Sequence, residues 1–377
     1  MKKKIVLTGG GSGGHILPNL ALVPFLKKDF DIFYIGGEDG MEKGLAARHG
    51  LPFYSVPCVK FKRSLSPANF AIPFVLNQGV RQAKQILRDI KPDVLFGKGG
   101  YVALPVVMAA RSLNIPYMIH ESDMSMGLSN KLVAKGADFV CGSFADAVSG
   151  LSNGVHTGAP IRNELHAGNA DKARRQLGIS SSKPILLVMG GSGGALAINE
   201  CLAGCLDTLT KKYEVIHLTG RGKSSQFSAD SCQKSDFEKL KTVNCQLSTY
   251  SYHPLEFTND IHHLYAAADL CVTRGGAGAL FELITLKIPA LVIPLPKSRS
   301  SRGDQIQNAR RMAELGYCAV LPQGELTPES LIYSIDNLSK RAPTLKSAMR
   351  SARNIDGSQK IIELIKQCAK IGTHYHA

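Results

Sequence analysis

The sequence predicts an α/β protein made of two Rossmann-like, doubly wound domains that face each other across a cleft. Three observations support this fold class. Apolar runs alternate with helix-like segments, glycine-rich turns follow four of those runs, and the first turn recurs in the second half of the chain, where Ser192 matches Ser12. The offset between the two serines is about one domain length, so we expect two similar domains in tandem.

The first glycine-rich turn, TGGGSGGHILPN at residues 8–19, follows the short apolar run IVL and precedes a helix-like segment. Glycine has no Cβ atom, so the backbone can turn tightly here and its amides can approach a ligand. The positive end of the helix dipole favours an anion, and phosphate is the expected ligand. The alternative is a strand-to-helix turn that binds nothing.

Continuous apolar runs are the strand candidates, as expected for parallel sheets buried on both faces. They lie at residues 31–37, 94–100, 117–120 and 139–143, and then at 185–191, 214–220, 270–276 and 290–296. Gly158 and Pro160 indicate a linker. We expect an N-terminal domain at residues 1–162 and a C-terminal domain at 163–344, with a helix at about 345–377 packing back on the first domain.

Composition limits the class of protein and of partner. The chain has 377 residues, 44% of them hydrophobic, and a net charge of +15, which indicates a polyanionic partner such as anionic lipid or a phosphorylated substrate. Nucleic acid is not expected, because no zinc-finger or RNA-recognition signature occurs and aromatic residues make up only 7%. Nine cysteines without a C-x-x-C pair indicate reduced thiols in the cytosol.

Neither a signal peptide nor a membrane-spanning segment is expected. Only three apolar residues precede the first glycines, and no run approaches the ~20 apolar residues that a spanning helix needs. Residues 60–91, however, place Phe70 and Phe74 among the cations Lys62, Arg63 and Arg81. This pattern is typical of a protein bound to the surface of anionic lipid, and the alternative is an amphipathic helix that packs on its own core.

The first turn also permits a nicotinamide enzyme. Gly9, Gly11 and Gly14 match the dinucleotide fingerprint, and Glu38 and Asp39 lie where a ribose-binding acid belongs. The second glycine turn lacks that fingerprint. One nucleotide bound by the second domain, with the first turn facing another substrate, therefore explains the four turns better.

Two residues are candidates for the chemistry. His15 directly follows the first glycines and can take a proton from an attacking hydroxyl, or it can simply bind phosphate or cap the helix. Glu282 lies near a helix start, where its carboxylate can accept hydrogen bonds from ribose hydroxyls; the alternative is a surface glutamate. Among the other histidines, only His120 is expected to be internal, and His262 and His263 are expected on a solvated helix face.

Arg162 and Ser192 are the expected ligands of a diphosphate, one by charge and the other by hydroxyl and amide. Asp29 and Asp31 form an Asp-x-Asp pair at the start of a strand, and we interpret them as structural. We expect no metal, because amides and an arginine can neutralise a leaving diphosphate.

Seven motifs together indicate a family: GGGSGGHILP, GKGGYV, HESDMSMGLSNK, GAPIR, GGSGGA, ADLCVTRGGAGALFEL and SRGDQIQNA. In this order the chain resembles the peptidoglycan N-acetylglucosaminyltransferases of the two-domain GT-B class, glycosyltransferase family 28. The resemblance covers nearly the whole chain. It implies transfer of N-acetylglucosamine from UDP-GlcNAc to the C4 hydroxyl of the muramoyl sugar of undecaprenyl-diphosphate-linked lipid I. The product is lipid II, with inversion at the anomeric carbon and no metal or other cofactor.

The resemblance also implies residue roles. In the first domain, Ser12, Gly13 and Gly14 meet the donor sugar and the acceptor diphosphate, and His15 is the candidate base. The predicted acceptor and membrane surface comprises Gly99, Gly100 and Tyr101, together with the residues of the pattern at 60–91 described above, Phe70, Phe74, Lys62, Arg63 and Arg81. The positions that contact the UDP-GlcNAc donor are Asp123, Arg162, Ser192, Thr258, Ala277, Gly278, Ala279, Leu280, Phe281, Glu282 and Gln305, with Asn308 supporting Gln305. Asp123 and Ala159 each lie where many family members carry asparagine.

The implied location is peripheral, on the cytoplasmic face of the cell membrane, with anionic inner-membrane lipid as a partner and cell-wall synthesis and division proteins as candidate partners. The implied domain roles are acceptor and membrane binding by residues 1–162 and UDP-GlcNAc binding by residues 163–344. Two rival functions fit the same plan, namely a UDP-GlcNAc 2-epimerase and a non-catalytic nucleotide-sugar sensor docked on the membrane.

Overall fold

The computed structural model describes residues 2–38, 40–60, 71–191, 193–222, 251–298 and 301–371. The chain folds into two compact units. Unit 1 comprises Met1–Arg162, Lys297–Asp304 and Arg353–Ala377, and unit 2 comprises Asn163–Pro296 and Gln305–Ala352. Each unit contains its own sheet.

Unit 1 is built on a parallel sheet. Its strands are β1 (Lys3–Thr8), β2 (Phe30–Gly37), β3 (Phe53–Val56), β4 (Val94–Gly97), β5 (Tyr117–Glu121), β6 (Phe139–Gly142) and β7 (Gly154–His156). In the described residues the strand order is β3-β2-β1-β4-β5-β6-β7. The order reverses at β1, whose residue Leu7 pairs with Tyr34 of β2 on one side and with Phe96 of β4 on the other. This switch point places the turns after β1 and β4 side by side at the carboxyl ends of the strands, where open α/β sheets bind ligands.

Helices cover both faces of this sheet, so successive residues of β1 enter different cores. Ile5 and Leu7 belong to a cluster that includes residues of the first and last helices, whereas Val6 belongs to a cluster formed with the third and fourth. The helices are α1 (Gly13–Leu26), α2 (Glu42–Arg48), α3 (Ile72–Ile90), α4 (Gly100–Ser112), α5 (Leu128–Val133) and, at the end of the chain, α13 (Ser358–Ile371).

Unit 2 repeats the plan with a second parallel sheet. Its strands are β8 (Ile185–Met189), β9 (Glu214–Leu218), β10 (Tyr252–Leu255), β11 (Leu270–Thr273), β12 (Ala290–Val292) and β13 (Ala319–Val320). In the described residues their order is β10-β9-β8-β11-β12-β13. The helices are α6 (Ala170–Gln176), α7 (Leu196–Ala203), α8 (Leu206–Lys212), α9 (Ile261–Ala267), α10 (Ala277–Leu286), α11 (Asp304–Glu314, which begins in unit 1) and α12 (Pro328–Arg350). The predicted class, parallel α/β sheets with alternating helices, is confirmed.

The C-terminal helix expected from about residue 345 is instead two helices. Helix α12 ends at Arg350 and α13 begins at Ser358. The segment between them bonds to the backbone of Ala159, which donates to the carbonyl of Ile355 at 3.0 Å and accepts from Gly357 at 2.7 Å. These bonds satisfy backbone groups that a continuous helix would have used internally, so the helix stops.

The histidines differ in part from expectation. His120 is fully buried, as expected. His263 is not on a solvated face, because it is 6% exposed and accepts a hydrogen bond from the backbone N–H of Asn169 at 3.0 Å. His217 is also internal, at 1% exposure, and lies between the hydroxyl of Tyr252 and the side chain of Asn199. Both corrections arise from partners that are distant in sequence.

Candidate functional site

The first glycine loop joins β1 to α1 and presents amides to a ligand. Ser12 is the N-cap residue of α1, but its side chain makes no capping bond in the described structure, and the first turn contains no acidic residue. Ser12 and Gly14 are exposed and Gly13 is partly exposed. Uncapped amides at the positive end of a helix attract an anion, so the geometry fits the expected phosphate contact.

Close packing explains the glycines of this loop. Gly11 adopts φ of 80°, and a Cβ atom there would lie 2.5 Å from the ring of Tyr101. Its N–H donates to Glu42 Oε1 at 2.6 Å. Burial, together with the nearby thiol of Cys58 and carboxylate of Glu42, raises the pKa of Tyr101, which therefore stays protonated at neutral pH.

His15 is partly exposed and is held by the turn after β4. Its Nδ1 lies 3.2 Å from the carbonyl oxygen of Lys98. A carbonyl only accepts hydrogen bonds, so Nδ1 carries the proton and Nε2 keeps a lone pair. Burial and the positive charge of Lys98 lower the pKa of His15 to about 4. His15 is therefore neutral at pH 7, with Nε2 able to accept a proton.

Lys98 is a buried cation, 1% exposed, at the centre of this site. Its Nζ lies 2.8 Å from Nδ1 of His120 and also donates to the hydroxyl of Ser122. Nε2 of His120 lies 3.0 Å from the carbonyl of Gly158, so Nε2 carries the proton and Nδ1 accepts from the ammonium group. Burial lowers the pKa of Lys98 to about 8, whereas Glu121 and Asp123 act to raise it. Burial and Lys98 lower the pKa of His120 well below its usual value.

The segment after β5 is folded around the buried carboxylate of Glu121. Its Oε1 accepts from the N–H of Asp123 at 3.1 Å, and its Oε2 accepts from Gly127 N and Asn130 Nδ2, both at 2.9 Å. The carboxylate of Asp123 lies 3.8 Å from Nη2 of Arg302, which belongs to the same unit. Within unit 1 the predicted sugar contact at Asp123 is thus beside an arginine.

In unit 2, Glu282 projects from α10, which begins at Ala277 with Gly276 as its N-cap. It is the sixth residue of the helix and therefore more than one turn from the start. The side chain is partly exposed, and Oε2 accepts a hydrogen bond from the hydroxyl of Tyr265 at 3.2 Å. The carboxylate is thus positioned on a helix by a buried tyrosine, and its role toward ribose stays a prediction.

The other residues predicted on α10 differ in accessibility. Gly278 is exposed and Ala279 is partly exposed, whereas Leu280 and Phe281 are each 1% exposed. Their side chains belong to the interior of unit 2, so only their backbone can serve a ligand. Ala277 is also buried, at 5%.

Gln305 and Asn308 lie one turn apart on α11. Oε1 of Gln305 accepts from the N–H of Leu295 at 2.9 Å, and Nδ2 of Asn308 donates to the carbonyl of Gly275 at 3.3 Å. A Cβ atom at Gly275 would lie 2.5 Å from the carbonyl oxygen of Gln305. Asn308 therefore fixes the glycine turn before α10 by a hydrogen bond. Gly275 of the same turn packs on the backbone of Gln305.

The remaining predicted donor contacts are less informative. Thr258 is partly exposed, and its hydroxyl accepts from the N–H of Asp260 at 2.9 Å. Arg162 is the last residue of the first segment of unit 1 and is partly exposed. It follows Ile161, whose N–H donates to the hydroxyl of Ser358 at 3.0 Å. Ser192 lies outside the described residues.

Helix α3, which carries part of the predicted membrane surface, has one buried face and one exposed face. Its inner face buries Gly79, Ala83, Leu87 and Ile90, whereas Phe74 is 78% exposed and Arg81 is exposed. Part of the apolar pattern therefore packs on the core, and Phe74 does not. Lys62, Arg63 and Phe70 lie outside the described residues. Within the described ranges, no helix is both long enough and apolar enough to cross a membrane.

Sequence reasoning missed three residues of these sites, Glu42, Lys98 and Tyr265. Lys98 had a detectable signal, because it is a lone charge between an apolar strand and two glycines. Glu42 and Tyr265 had none, since their partners lie 31 and 17 positions away. In the residues that the structure describes, no group of three or more His, Cys, Asp or Glu side chains could hold a metal ion.

Comparison with known families matches both halves of the chain. Residues 5–141 match the glycosyltransferase family 28 N-terminal domain, and residues 185–365 match the glycosyltransferase family 28 C-terminal domain. The structure of MurG from Acinetobacter baumannii superposes with a TM-score of 0.72 at 26% identity, covering 97% of this chain and 99% of that one.

Curated relatives match over the full length. A protein of Lachnoclostridium phytofermentans is 39% identical, covering 97% of this chain and 99% of its own length. One from Geobacillus kaustophilus is 39% identical, covering 98% and 100%. Both are named UDP-N-acetylglucosamine–N-acetylmuramyl-(pentapeptide) pyrophosphoryl-undecaprenol N-acetylglucosamine transferase. The predicted resemblance is confirmed: the chain belongs to glycosyltransferase family 28 and has the two-domain GT-B fold.

Proposed function

We propose that this chain transfers N-acetylglucosamine from UDP-GlcNAc to the C4 hydroxyl of the muramoyl sugar of undecaprenyl-diphosphate-linked lipid I, which gives lipid II for peptidoglycan. The observation that carries the proposal is the full-length similarity, at 39% identity, to relatives named for this reaction. The arrangement of His15 in unit 1 and of Glu282 in unit 2 supports it, because each provides one of the functions that the reaction needs.

We assign binding of the donor, UDP-GlcNAc, to unit 2. Glu282 would accept hydrogen bonds from the two vicinal hydroxyls of the uridine ribose, with Tyr265 fixing the orientation of its carboxylate. Gln305, held beside the turn that Asn308 supports, would bind hydroxyls of the sugar. Ser192 of unit 2, together with Arg162 at the end of the first segment of unit 1, would bind the diphosphate, and the charge on the leaving UDP would then be balanced without a metal.

We assign binding of the acceptor, lipid I, to unit 1. The proton of the C4 hydroxyl would pass to Nε2 of His15 as the oxygen attacks the anomeric carbon of the donor. The new bond forms from O4 to C1, the bond from C1 to the diphosphate oxygen breaks, and its electron pair leaves with UDP. Attack opposite to the leaving group inverts the anomeric centre. The carbonyl of Lys98 keeps His15 in the tautomer that this step requires.

The diphosphate of the acceptor would lie against the amides of Ser12, Gly13 and Gly14, with the turn at Gly99, Gly100 and Tyr101 beside them. The undecaprenyl chain requires access to lipid. Exposed Phe74 and the cation Arg81 on α3 would therefore rest on the cytoplasmic surface of the cell membrane as a peripheral contact.

A mass-spectrometric assay tests the proposal. The full chain is incubated with UDP-GlcNAc and a lipid I analogue in the presence of a chelator, and the expected product is the acceptor plus one N-acetylhexosamine residue. A control without acceptor is analysed by NMR, because epimers have equal mass, and it detects the epimerised sugar that a 2-epimerase would produce. Binding of UDP-GlcNAc without any turnover would instead identify a sensor, and binding of NAD(P)H without affinity for UDP would identify a nicotinamide enzyme. Each of these outcomes overturns the proposed transfer.

A further inference from the structure

Unit 1 contains a cavity of about 370 Å³ beside the first glycine loop. This volume is near the lower end of the range for small-ligand pockets, ~300–1,000 Å³, so it suits a short segment of a substrate. Its walls come from the end of β2, the start of α2, the turn after β3, the first half of α3 and the start of α4. The lining residues used below are Glu38, Glu42, Pro57, Val75, Tyr101 and Val102.

Glu42 gives this cavity a chemical preference. The residue is 0% exposed. One carboxylate oxygen, Oε1, accepts the N–H of Gly11 at 2.6 Å, whereas Oε2 is buried and has no hydrogen-bond partner among the described residues. A buried polar atom without a partner is costly, and natural proteins rarely retain one without a functional reason. Because Glu42 is one of the residues that line the cavity, an oxygen of this kind on its side chain indicates a ligand group that donates a hydrogen bond.

The other walls narrow the class of ligand. Glu38 adds a second carboxylate, so phosphate and carboxylate groups are disfavoured by charge. Pro57, Val75 and Val102 are apolar and suit a small aliphatic group. A neutral N–H donor next to a small apolar group satisfies both features, and a secondary amide of a peptide has this chemistry.

We propose that this cavity binds the amide that joins the muramoyl sugar of the acceptor to its peptide, with the amide N–H donating to Oε2 of Glu42. The inference rests on the proposed function, because that function supplies a muramoyl-peptide acceptor. Glu42 then has two tasks. Oε1 shapes the glycine loop through Gly11, and Oε2 positions the acceptor, whose C4 hydroxyl is the reacting group. Tyr101, which packs on Gly11, forms part of both the loop and the cavity.

Two matched probes test the amide contact without catalysis. N-acetylmuramoyl-alanine methyl ester carries the amide N–H, and the same compound methylated at that nitrogen does not. Binding of each to the full chain is measured by titration followed by NMR. We expect the wild-type chain to prefer the N–H compound by about tenfold or more, as for a hydrogen bond to a charged group. Equal affinity of the wild-type chain for the two probes would overturn the assignment.

The variant Glu42→Gln keeps an oxygen that can accept the N–H of Gly11 and replaces the other oxygen by an amide nitrogen. We expect its preference between the probes to fall to about twofold or less. Glu363→Gln, on the exposed face of α13 in the same unit, is the matched control and should keep the wild-type preference. A tenfold preference that persists in Glu42→Gln overturns the role of Oε2. An unchanged urea unfolding midpoint shows that the variant is folded.

The two proposals fail in different ways. Transfer to the lipid I analogue without any preference between the probes overturns the cavity assignment and leaves the proposed function intact. A preference that depends on Glu42, in a chain that transfers no sugar, supports the amide site and overturns the proposed reaction.

Discussion

The role assigned to Glu282 leads to the most quantitative prediction for the donor site. Replacing it by glutamine keeps the size of the side chain and removes the charge, and replacing it by alanine removes both. If the carboxylate binds the ribose hydroxyls, both variants weaken UDP binding and raise the KM for UDP-GlcNAc. Turnover at saturating donor should change less, because the ribose is remote from the reacting bond.

The size of the effect follows from the number and kind of contacts. A hydrogen bond to a charged group contributes ~1.5–3 kcal/mol, which corresponds to about 10- to 150-fold in Kd. Two vicinal hydroxyls on one carboxylate place the expected loss for Glu282→Ala toward the upper end of that range. Tyr265 donates to Oε2 of Glu282 at 3.2 Å. Removing that hydroxyl in Tyr265→Phe only loosens the carboxylate, and we expect about 2- to 10-fold weaker binding of UDP.

Isothermal titration with UDP and with 2′,3′-dideoxy-UDP isolates the ribose contact. The wild-type chain should bind UDP more tightly than the dideoxy compound by the full factor of about 10- to 150-fold. In contrast, Glu282→Ala should bind the two ligands with nearly equal affinity, because the side chain that contacts the hydroxyls is then absent. Glu314→Gln, an exposed position on α11 of the same unit, is the control and should behave as wild type. An unchanged preference for UDP in Glu282→Ala would refute the ribose role.

Three further predictions concern the first site, the buried His217 and the membrane. His15→Ala should lower kcat by ~10²–10⁴-fold and leave the Kd of UDP unchanged. In the wild type, kcat/KM should stay level down to about pH 5 and fall near the His15 pKa of about 4. Full activity of the variant would contradict a role of His15 as base. Burial lowers the pKa of His217 to about 4, below its unfolded value of about 6.5, so the unfolded chain binds the proton first. The free energy of unfolding should therefore fall by up to ~1.4 kcal/mol per pH unit as the pH drops from 6.5 to about 4. His217→Gln should reduce this dependence, measured by urea titrations at several pH values. An identical pH dependence in the variant would contradict the lowered pKa of His217. Phe74→Ser with Arg81→Glu should weaken sedimentation with anionic vesicles, most clearly at low salt, and unchanged sedimentation would contradict the lipid contact.

The sequence was most informative about the turns that carry the ligand contacts. Strands such as 94–97 and 270–273 are buried on both faces, so they appear as continuous apolar runs, and the glycines that end them fix the carboxyl edge of each sheet. The strands that were not predicted are β3, β7, β10 and β13, which are short and lie at the sheet edges in the described residues. Strand β13 consists only of Ala319–Val320, too little for any periodic signal. The positions of the edge strands therefore could not be predicted from the sequence and were found only in the structure.

The difference between His120 and His263 shows why burial was only partly predictable. His120 lies within β5, and the apolar residues 117–119 before it already indicate an internal position. His263 lies on the short helix α9, and it is buried because the turn before α6, 94 residues earlier, supplies the N–H of Asn169. A sequence pattern reports the neighbours of a residue along its own element, whereas contacts between elements depend on the tertiary fold.

The same limit applies most strongly to buried charges, which are the residues that define the site in unit 1. Charged side chains are almost always exposed, so a reading of the sequence assigns Glu42 and Lys98 to the surface by default. In the folded unit, Lys98 is stabilised by His120 and Ser122, and Glu42 by the N–H of Gly11, all of them brought together by the turns at the sheet switch point. Each buried charge must be offset by such partners or by a ligand. The oxygen of Glu42 that has no partner among the described residues is therefore the atom that the proposed acceptor amide would supply with a hydrogen bond.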